Sequence, residues 1–239
     1  MTHKGTALVT GSGKRIGKAV ACELAAHGYH IALHYHHSAR EAEQLAETII
    51  KTGKTCYIFQ ADLRDCNQLT PLINKVFDTF PDCNLLVNNA SVFEQCSFME
   101  TTEEIFDTHM AVNLKAPYFL TQAFAKRCKS GQVINMIDTY ISKNRSPYFA
   151  YLLSKKVLYA FTQMAALELG PSIRVNGINP GITEISHEVK PEILHKKIAA
   201  LPLQNIVKVS DITAAVIQLT EAPYLTGQVW CIDGGEHLL

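Results

Sequence analysis

Short apolar runs separated by longer stretches of helical periodicity constrain this chain more than any other feature. "TALVTG", "HIALHY", "TCYIFQA" and "NLLVNNA" alternate with helical patterns over residues 15–27, 39–52 and 66–80. The second half keeps the rhythm: a long helical segment through "FDTHMAVNLKAPYFLTQAFAKR", the strand "QVINMI", a helix over 151–169, "IRVNGIN", a helix near 210–220 and "GQVWCIDGG". Such alternation predicts βαβ units and an α/β fold of about seven parallel strands with helices on both faces. At 239 residues, without an internal repeat or a Pro/Gly/Ser-rich linker, one domain spanning 1–239 is expected. The one long stretch without a strand, 181–205, carries Pro191 and Pro202 around a short helical pattern and is expected to form a lid or substrate loop.

Lys+Arg and Asp+Glu both number 22, so no charge excess points to nucleic acid or a membrane surface, and a small molecule is the expected partner. The seven cysteines (Cys22, Cys56, Cys66, Cys83, Cys96, Cys128 and Cys231) are scattered and never in Cys-x-x-Cys spacing, which argues against a disulfide framework or a zinc site; no metal is expected. No stretch approaches the roughly 20 apolar residues of a membrane span, and a cytoplasmic location is the default expectation.

"TALVTGSGKRIGKAV" places Gly11, Gly13 and Gly17 between a strand and a helix. In that context Gly11 permits a tight turn, Gly13 a close approach of backbone to a pyrophosphate and Gly17 close helix–sheet packing, with the helix N-terminus facing the phosphates. The second strand ends in "ALHYHHSAR", where a site specific for NAD typically has an acid that accepts hydrogen bonds from the ribose hydroxyls. With no carboxylate to repel a 2′-phosphate, His34, His36, His37 and Ser38, joined by Arg15, are expected to surround one, which favours NADPH. A metal at this histidine cluster ranks well below phosphate contact, and a solvated loop is the competing reading for His37.

On a helix, Tyr151 and Lys155 share one face. A nearby ammonium favours the phenolate, so Lys155 is expected to lower the tyrosine pKa from about 10 toward a range useful for proton exchange at neutral pH. Alone, Tyr-x-x-x-Lys is a weak signal; it gains force from the glycine loop, "LLVNNAS" and Asn113.

Taken together, "TGSGKRIG", Asn88-Asn89-Ala90, Asn113, Tyr151, Lys155, "NPG" at 179–181 and "DGG" at 233–235 make the chain resemble the short-chain dehydrogenases/reductases along essentially its full length. The resemblance implies a Rossmann fold and a proton relay in which Lys155 also holds the nicotinamide ribose and Asn113 organises a water line. It further implies cofactor contacts from Ile16, Asp62, Leu63, Asn89, Ala90, Pro180 and Gly181, and a homotetramer. The helical patterns "NLKAPYFLTQAFAKR" and "KKVLYAFTQMAALEL" are apolar beyond one buried stripe, consistent with packing between subunits.

Thirteen residues before Tyr151, where that family usually has serine, this chain has Asp138. In this it resembles the pteridine reductases, as do Arg15, the "HYHHS" strand end, Ser91 and Phe93 in "NNASVF", and "INMIDT". A carboxylate would repel the alkoxide that develops in ketone reduction. A pterin C=N bond takes hydride at carbon and a proton at nitrogen, so a carboxyl beside Tyr151 can relay that proton. By resemblance Phe93 stacks on the pterin, and Ser91 and Arg15 meet its polar edge and the cofactor phosphate. The competing readings are Phe93 as core and Ser91 as a helix cap. Tyr140 and Tyr148 read equally as pocket or structural aromatics, and the tail "GEHLL" offers few contacts to assign. The expected activity is NADPH-dependent reduction of dihydrobiopterin, dihydromonapterin or dihydrofolate; the alternatives are a 3-oxoacyl thioester reductase and a dinucleotide sensor without turnover.

Overall fold

A computed structural model describes residues 3–144, 147–183 and 191–239, excepting the side chains of 191–193. Its seven strands are β1 (Thr6–Val9), β2 (His30–Tyr35), β3 (Cys56–Gln60), β4 (Cys83–Asn88), β5 (Gly131–Met136), β6 (Ile173–Pro180) and β7 (Val229–Ile232). They form one wholly parallel sheet in the order β3-β2-β1-β4-β5-β6-β7. The chain therefore winds outward from β1 in one direction and then from β4 in the other. A crevice is left at the carboxyl ends of these two strands, where the winding reverses.

The strands read as continuous apolar runs because both sheet faces are covered. Successive side chains alternate between the faces. Ala7 and Val9 enter one core with Val20, Leu24, Ile31 and Leu33, while Leu8 enters the other with Ile73, Phe77, Leu86 and Phe124. Helices α1 (Arg15–Ala26), α2 (Ala39–Ile50) and α8 (Val209–Glu221) cover the first face. The second is covered by α3 (Cys66–Thr79), α5 (Ala116–Arg127) and α6 (Phe149–Leu169). A fully buried leucine such as Leu8 contributes roughly 2 kcal/mol from transfer alone.

Local signals set the helix starts. Asp65 accepts from the Asn67 N–H at 2.9 Å before α3, and Thr102 accepts from the Ile105 N–H before α4 (Glu103–Met110). The long helix expected through 106–127 is instead two helices joined by a π-helical turn, Ala111–Lys115. Pro117, in the first turn of α5, has no N–H for the carbonyl four residues back, that of Asn113. The ladder therefore changes register at the residue the site needs. In the 181–205 stretch the helical pattern is α7 (Pro191–Ala200), while 184–190 lie outside the described residues. No helix among the described residues is long and apolar enough to cross a membrane.

Candidate active site

A cavity of about 850 Å³ occupies the crevice. It is bordered by the β1–α1 turn and by the carboxyl ends of β2 to β6, through His34, Asp62, Asn89, Met136 and Pro180. Of the residues expected at a cofactor, Gly11, Arg15, Ile16, Gly17, His36, His37, Ser38, Leu63, Ala90 and Gly181 line it as well. Gly13 does not; it lies beneath, where a Cβ would come within 2.5 Å of Ser38 Oγ.

Gly11 turns the chain with φ +61°, and a Cβ at Gly17 would lie 2.4 Å from Asn89 Nδ2, so the turn and the end of β4 are built against each other. Asn89 Nδ2 donates to the carbonyls of Thr10 and Gly11 at 2.8 and 3.2 Å, and Thr10 Oγ1 accepts from the N–H groups of Asn89 and Ala90. No side chain caps α1, and its first turn holds no acid. Its uncapped N–H groups suit an anion, and the cavity beside them fits the phosphates of a dinucleotide.

His34 corrects one expectation. It is buried at the cavity edge; its Nδ1 accepts from the Gly11 N–H at 3.1 Å and its Nε2 bonds the Ala61 carbonyl. Burial lowers its pKa to about 4, so it is a neutral brace for the glycine turn rather than a phosphate ligand. His36 and His37 do stand at the expected place, their ring centroids 3.5 Å apart. An acid absent from the second strand is supplied from after β3: Asp62 lies 3.6 Å from His36 Nε2 and is paired with Arg64 at 2.7 Å. The Arg64 hydrogen bonds, chief among its influences, hold the Asp62 carboxyl down to about 2.

At the other end of the cavity, Asp138 closes β5 and caps the 3₁₀ turn Thr139–Ser142. Its Oδ1 accepts from the Tyr140 N–H at 2.7 Å and its Oδ2 from Tyr151 Oη at 2.6 Å. Capping and site contact coexist on two oxygens of one carboxylate. Burial raises the Asp138 pKa, opposed by the bonds from Tyr151 and Tyr140 and by the Lys155 charge.

The expected lowering of the Tyr151 pKa is reversed. The phenol is buried and donates to a carboxylate, and burial followed by the Asp138 charge pushes it well above its ordinary value. Lys155 does not bond the phenol; its Nζ donates to the Met136 carbonyl at 2.8 Å and lies 5.8 Å from the Tyr151 ring centroid. With only 2% of its surface exposed, Lys155 has its own pKa lowered by burial to about 8. The group is thus a neutral phenol bonded to Asp138, with an ammonium fixed behind it.

Asn113 is fully buried behind the cavity wall, where Oδ1 accepts from the Val92 N–H and Ser91 Oγ while Nδ2 donates to the Val92 carbonyl and Ser154 Oγ. All four bonding directions are taken by protein. Through its side chain Asn113 therefore ties the Ser91–Val92 loop to α6, while its backbone carbonyl is the one that Pro117 leaves without an N–H.

Phe93 is not core: 47% exposed, it stacks on Tyr148 at 4.3 Å and meets Tyr151 edge-on at 4.7 Å. Ser91, Tyr140 and Tyr148 line the same wall. Cys231, Asp233 and His237 bring three ligand atoms within 4.8 Å of one another. The Asp233 carboxylate, however, already accepts from Thr139 Oγ1, the Gly235 and His237 N–H groups and the His237 ring, which makes it a structural tie.

A family model described as enoyl-(acyl carrier protein) reductase matches residues 11–237, and pteridine reductase 1 of Leishmania tarentolae is 30% identical over 97% of this chain and 96% of its own. The chain is a short-chain dehydrogenase/reductase. A crystal structure described as FolM alternative dihydrofolate reductase 1 from Brucella suis, in complex with NADP, superposes with a TM-score of 0.94 at 36% identity, covering 100% of this chain and 97% of that one. The 3-oxoacyl-[acyl-carrier-protein] reductase FabG of Staphylococcus aureus is 29% identical over 98% of both chains.

Within this dehydrogenase/reductase site, sequence reading passed over Lys14, Arg64, Lys197 and Glu236, all of which line the cavity. Lys14 and Arg64 flank the expected glycine and histidine residues and were legible as basic neighbours. Glu236 left no local trace, because its surroundings come from three distant segments.

Proposed function

We propose that the chain reduces a dihydropterin, of dihydrobiopterin, dihydromonapterin or dihydrofolate type, with NADPH. The observation that carries this reading is the 2.6 Å hydrogen bond from Tyr151 Oη to Asp138 Oδ2. A carboxyl at this position suits protonation of a ring nitrogen and opposes a developing alkoxide. Support also comes from the pteridine reductase relative and from the NADP complex of the Brucella suis protein.

The uncapped start of α1 with Arg15, and Lys14, His36, His37 and Ser38 around it, would hold the phosphates. Asn89, Ala90, Pro180 and Gly181 would flank the nicotinamide end, with Lys155 at its ribose. When bound, the nicotinamide supplies the hydride. Phe93 offers an aromatic face to the pterin, and Ser91 offers a hydroxyl. Asp138, its pKa raised by burial, carries the proton to the ring nitrogen and is left as a carboxylate held by Tyr151 and the Tyr140 N–H. One domain spanning 1–239 completes the scheme.

Charge-assisted phosphate contacts favour NADPH over NADH by on the order of 1–3 kcal/mol. Comparing kcat/KM for the two cofactors checks this, and equal values reject it. The exposed apolar side chains of α5 and α6, Tyr118, Phe119, Met164 and Leu167 among them, favour a homo-oligomer, in our reading a cytoplasmic homotetramer. Light scattering returning the mass of one chain at micromolar concentration would overturn it.

The FabG relatives and the family match favour a second reading, reduction of a 3-oxoacyl thioester. A dinucleotide sensor without turnover would have no use for the Asp138–Tyr151–Lys155 group. NADPH oxidation by the pure protein with dihydrobiopterin, dihydromonapterin, dihydrofolate and acetoacetyl thioester separates the readings. Turnover of the thioester alone rejects pterin reduction, and turnover of none favours the sensor.

A further inference from the structure

The last residues of the chain deliver a second carboxyl to the cavity. After β7, Asp233 anchors the tail by accepting from the N–H groups of Gly235 and His237 and from Thr139 Oγ1, on the turn that Asp138 caps. Gly235 then adopts φ +89°, packed so closely on Pro202 that a Cβ would lie 2.7 Å from its ring. The next residue, Glu236, is thereby turned inward: it lines the cavity and is only 3% exposed.

Its two oxygens are not equivalent. Lys143 Nζ lies 3.6 Å from Oε1, whereas Oε2 is buried and no donor reaches it in good hydrogen-bond geometry among the described residues, the Tyr140 side chain and the Ile182 backbone standing close enough to bond the carboxylate only weakly. The groups facing it come from every neighbouring element: Tyr140 and Lys143 at the 3₁₀ turn, Lys197 on α7, Asp138 at the end of β5 and the backbone of Ile182. Lys197 Nζ is itself bonded to Tyr140 Oη at 3.2 Å. Burial raises the Glu236 pKa and the Lys143 charge opposes that rise. A buried acceptor without a donor is rare because leaving it unmade is costly. Here the acceptor sits in the cavity wall, next to Asp138, so a bound molecule is the natural source of the well-aligned donor that Tyr140 and Ile182 do not supply.

We infer that Glu236 is a specificity-determining residue that accepts a hydrogen bond from a hydroxyl or amino group on the substrate, outside the bond being reduced. The inference rests on the pterin reading above. It selects dihydropterins whose side chain carries hydroxyl donors over those with a purely apolar side chain, since a site built around a buried polar group discriminates against the analogue that leaves it unpaired.

The test compares kcat/KM for dihydrobiopterin, whose side chain carries hydroxyls, with that for 6-methyl-7,8-dihydropterin, which lacks them. Both are measured on the same preparation, so that the fraction of folded protein cancels in the ratio. In Glu236→Gln, Lys143 claims the amide oxygen and the NH₂ takes the place of Oε2, setting donor against donor. The ratio is expected to fall about tenfold, mainly through KM. Glu236→Leu, which offers no acceptor, should lower it as far. An unchanged ratio in the Gln variant, with both substrates losing or keeping activity together, overturns the inference and leaves the pterin reading standing. Wild-type protein that turns over neither dihydropterin overturns both.

Discussion

Asp138→Ala is expected to lose at least about 10²-fold in kcat for a dihydropterin, the lower end of what removing a general acid costs. NADPH affinity should hardly change, because the carboxylate faces Tyr140 and Tyr151 rather than the glycine turn. The same variant should lose about 1 kcal/mol of stability, since the Tyr140 N–H loses its cap. Two further variants separate these effects. Asp138→Asn keeps an acceptor for the capping bond but has no acid to give, so its melting temperature should hold while its rate falls with the alanine variant. Asp138→Ser restores the hydroxyl of ketone reduction, and should impair pterin turnover while admitting slow carbonyl reduction. Single-turnover rates and melting curves on matched preparations decide; a well-folded Asp138→Ala with full pterin activity would remove the main reason for choosing pterins over ketones.

Lys155→Met should lose activity by a comparable or larger factor, yet gain stability at neutral pH. The folded chain binds the Lys155 proton less tightly than the unfolded chain, because burial brings the pKa down to about 8 from its ordinary 10.5. Stability therefore rises with pH between those two values, and below about 8 the full cost of burying the ammonium is present, roughly 3 kcal/mol. Losing the bond to the Met136 carbonyl returns about 1 kcal/mol of that. The variant should melt above the wild type at pH 7, with the difference shrinking toward pH 10. The wild-type rate should fall as pH rises through about 8, when Lys155 loses its charge. A variant melting several degrees lower at pH 7 would sink this account.

How much of this was legible before the structure follows from the range of each interaction. Strands such as Thr6–Val9 were plain because burial on both faces leaves an uninterrupted apolar run. Tyr151 and Lys155 were plain because helical spacing is local, and Asp138 because its distance from Tyr151 along the chain is informative in itself. The direction of the Tyr151 shift was not, since it depends on whether the phenol meets the ammonium or the carboxylate, and that is decided between β5 and α6. His34 was misassigned for a similar reason: its strand end was read correctly, but which way the ring turns depends on Gly11 and Ala61, far apart in sequence. Glu236 lies furthest from view, facing Tyr140 and Lys143 across more than ninety positions.

The π-helical turn at Ala111–Lys115 carries a constraint on how this protein can vary. Each residue of an α-helix advances the chain by about 100°, so the extra residue in that turn works as a phase shifter between α4 and α5. Removing one residue there would rotate α4 against α5 by about 100°, and Asn113 would swing away from Ser91, Val92 and Ser154 together. Point substitutions around Asn113 are thus a milder insult than a change of length: this is a segment in which the count of residues, more than their identity, keeps the wall behind the cavity in place.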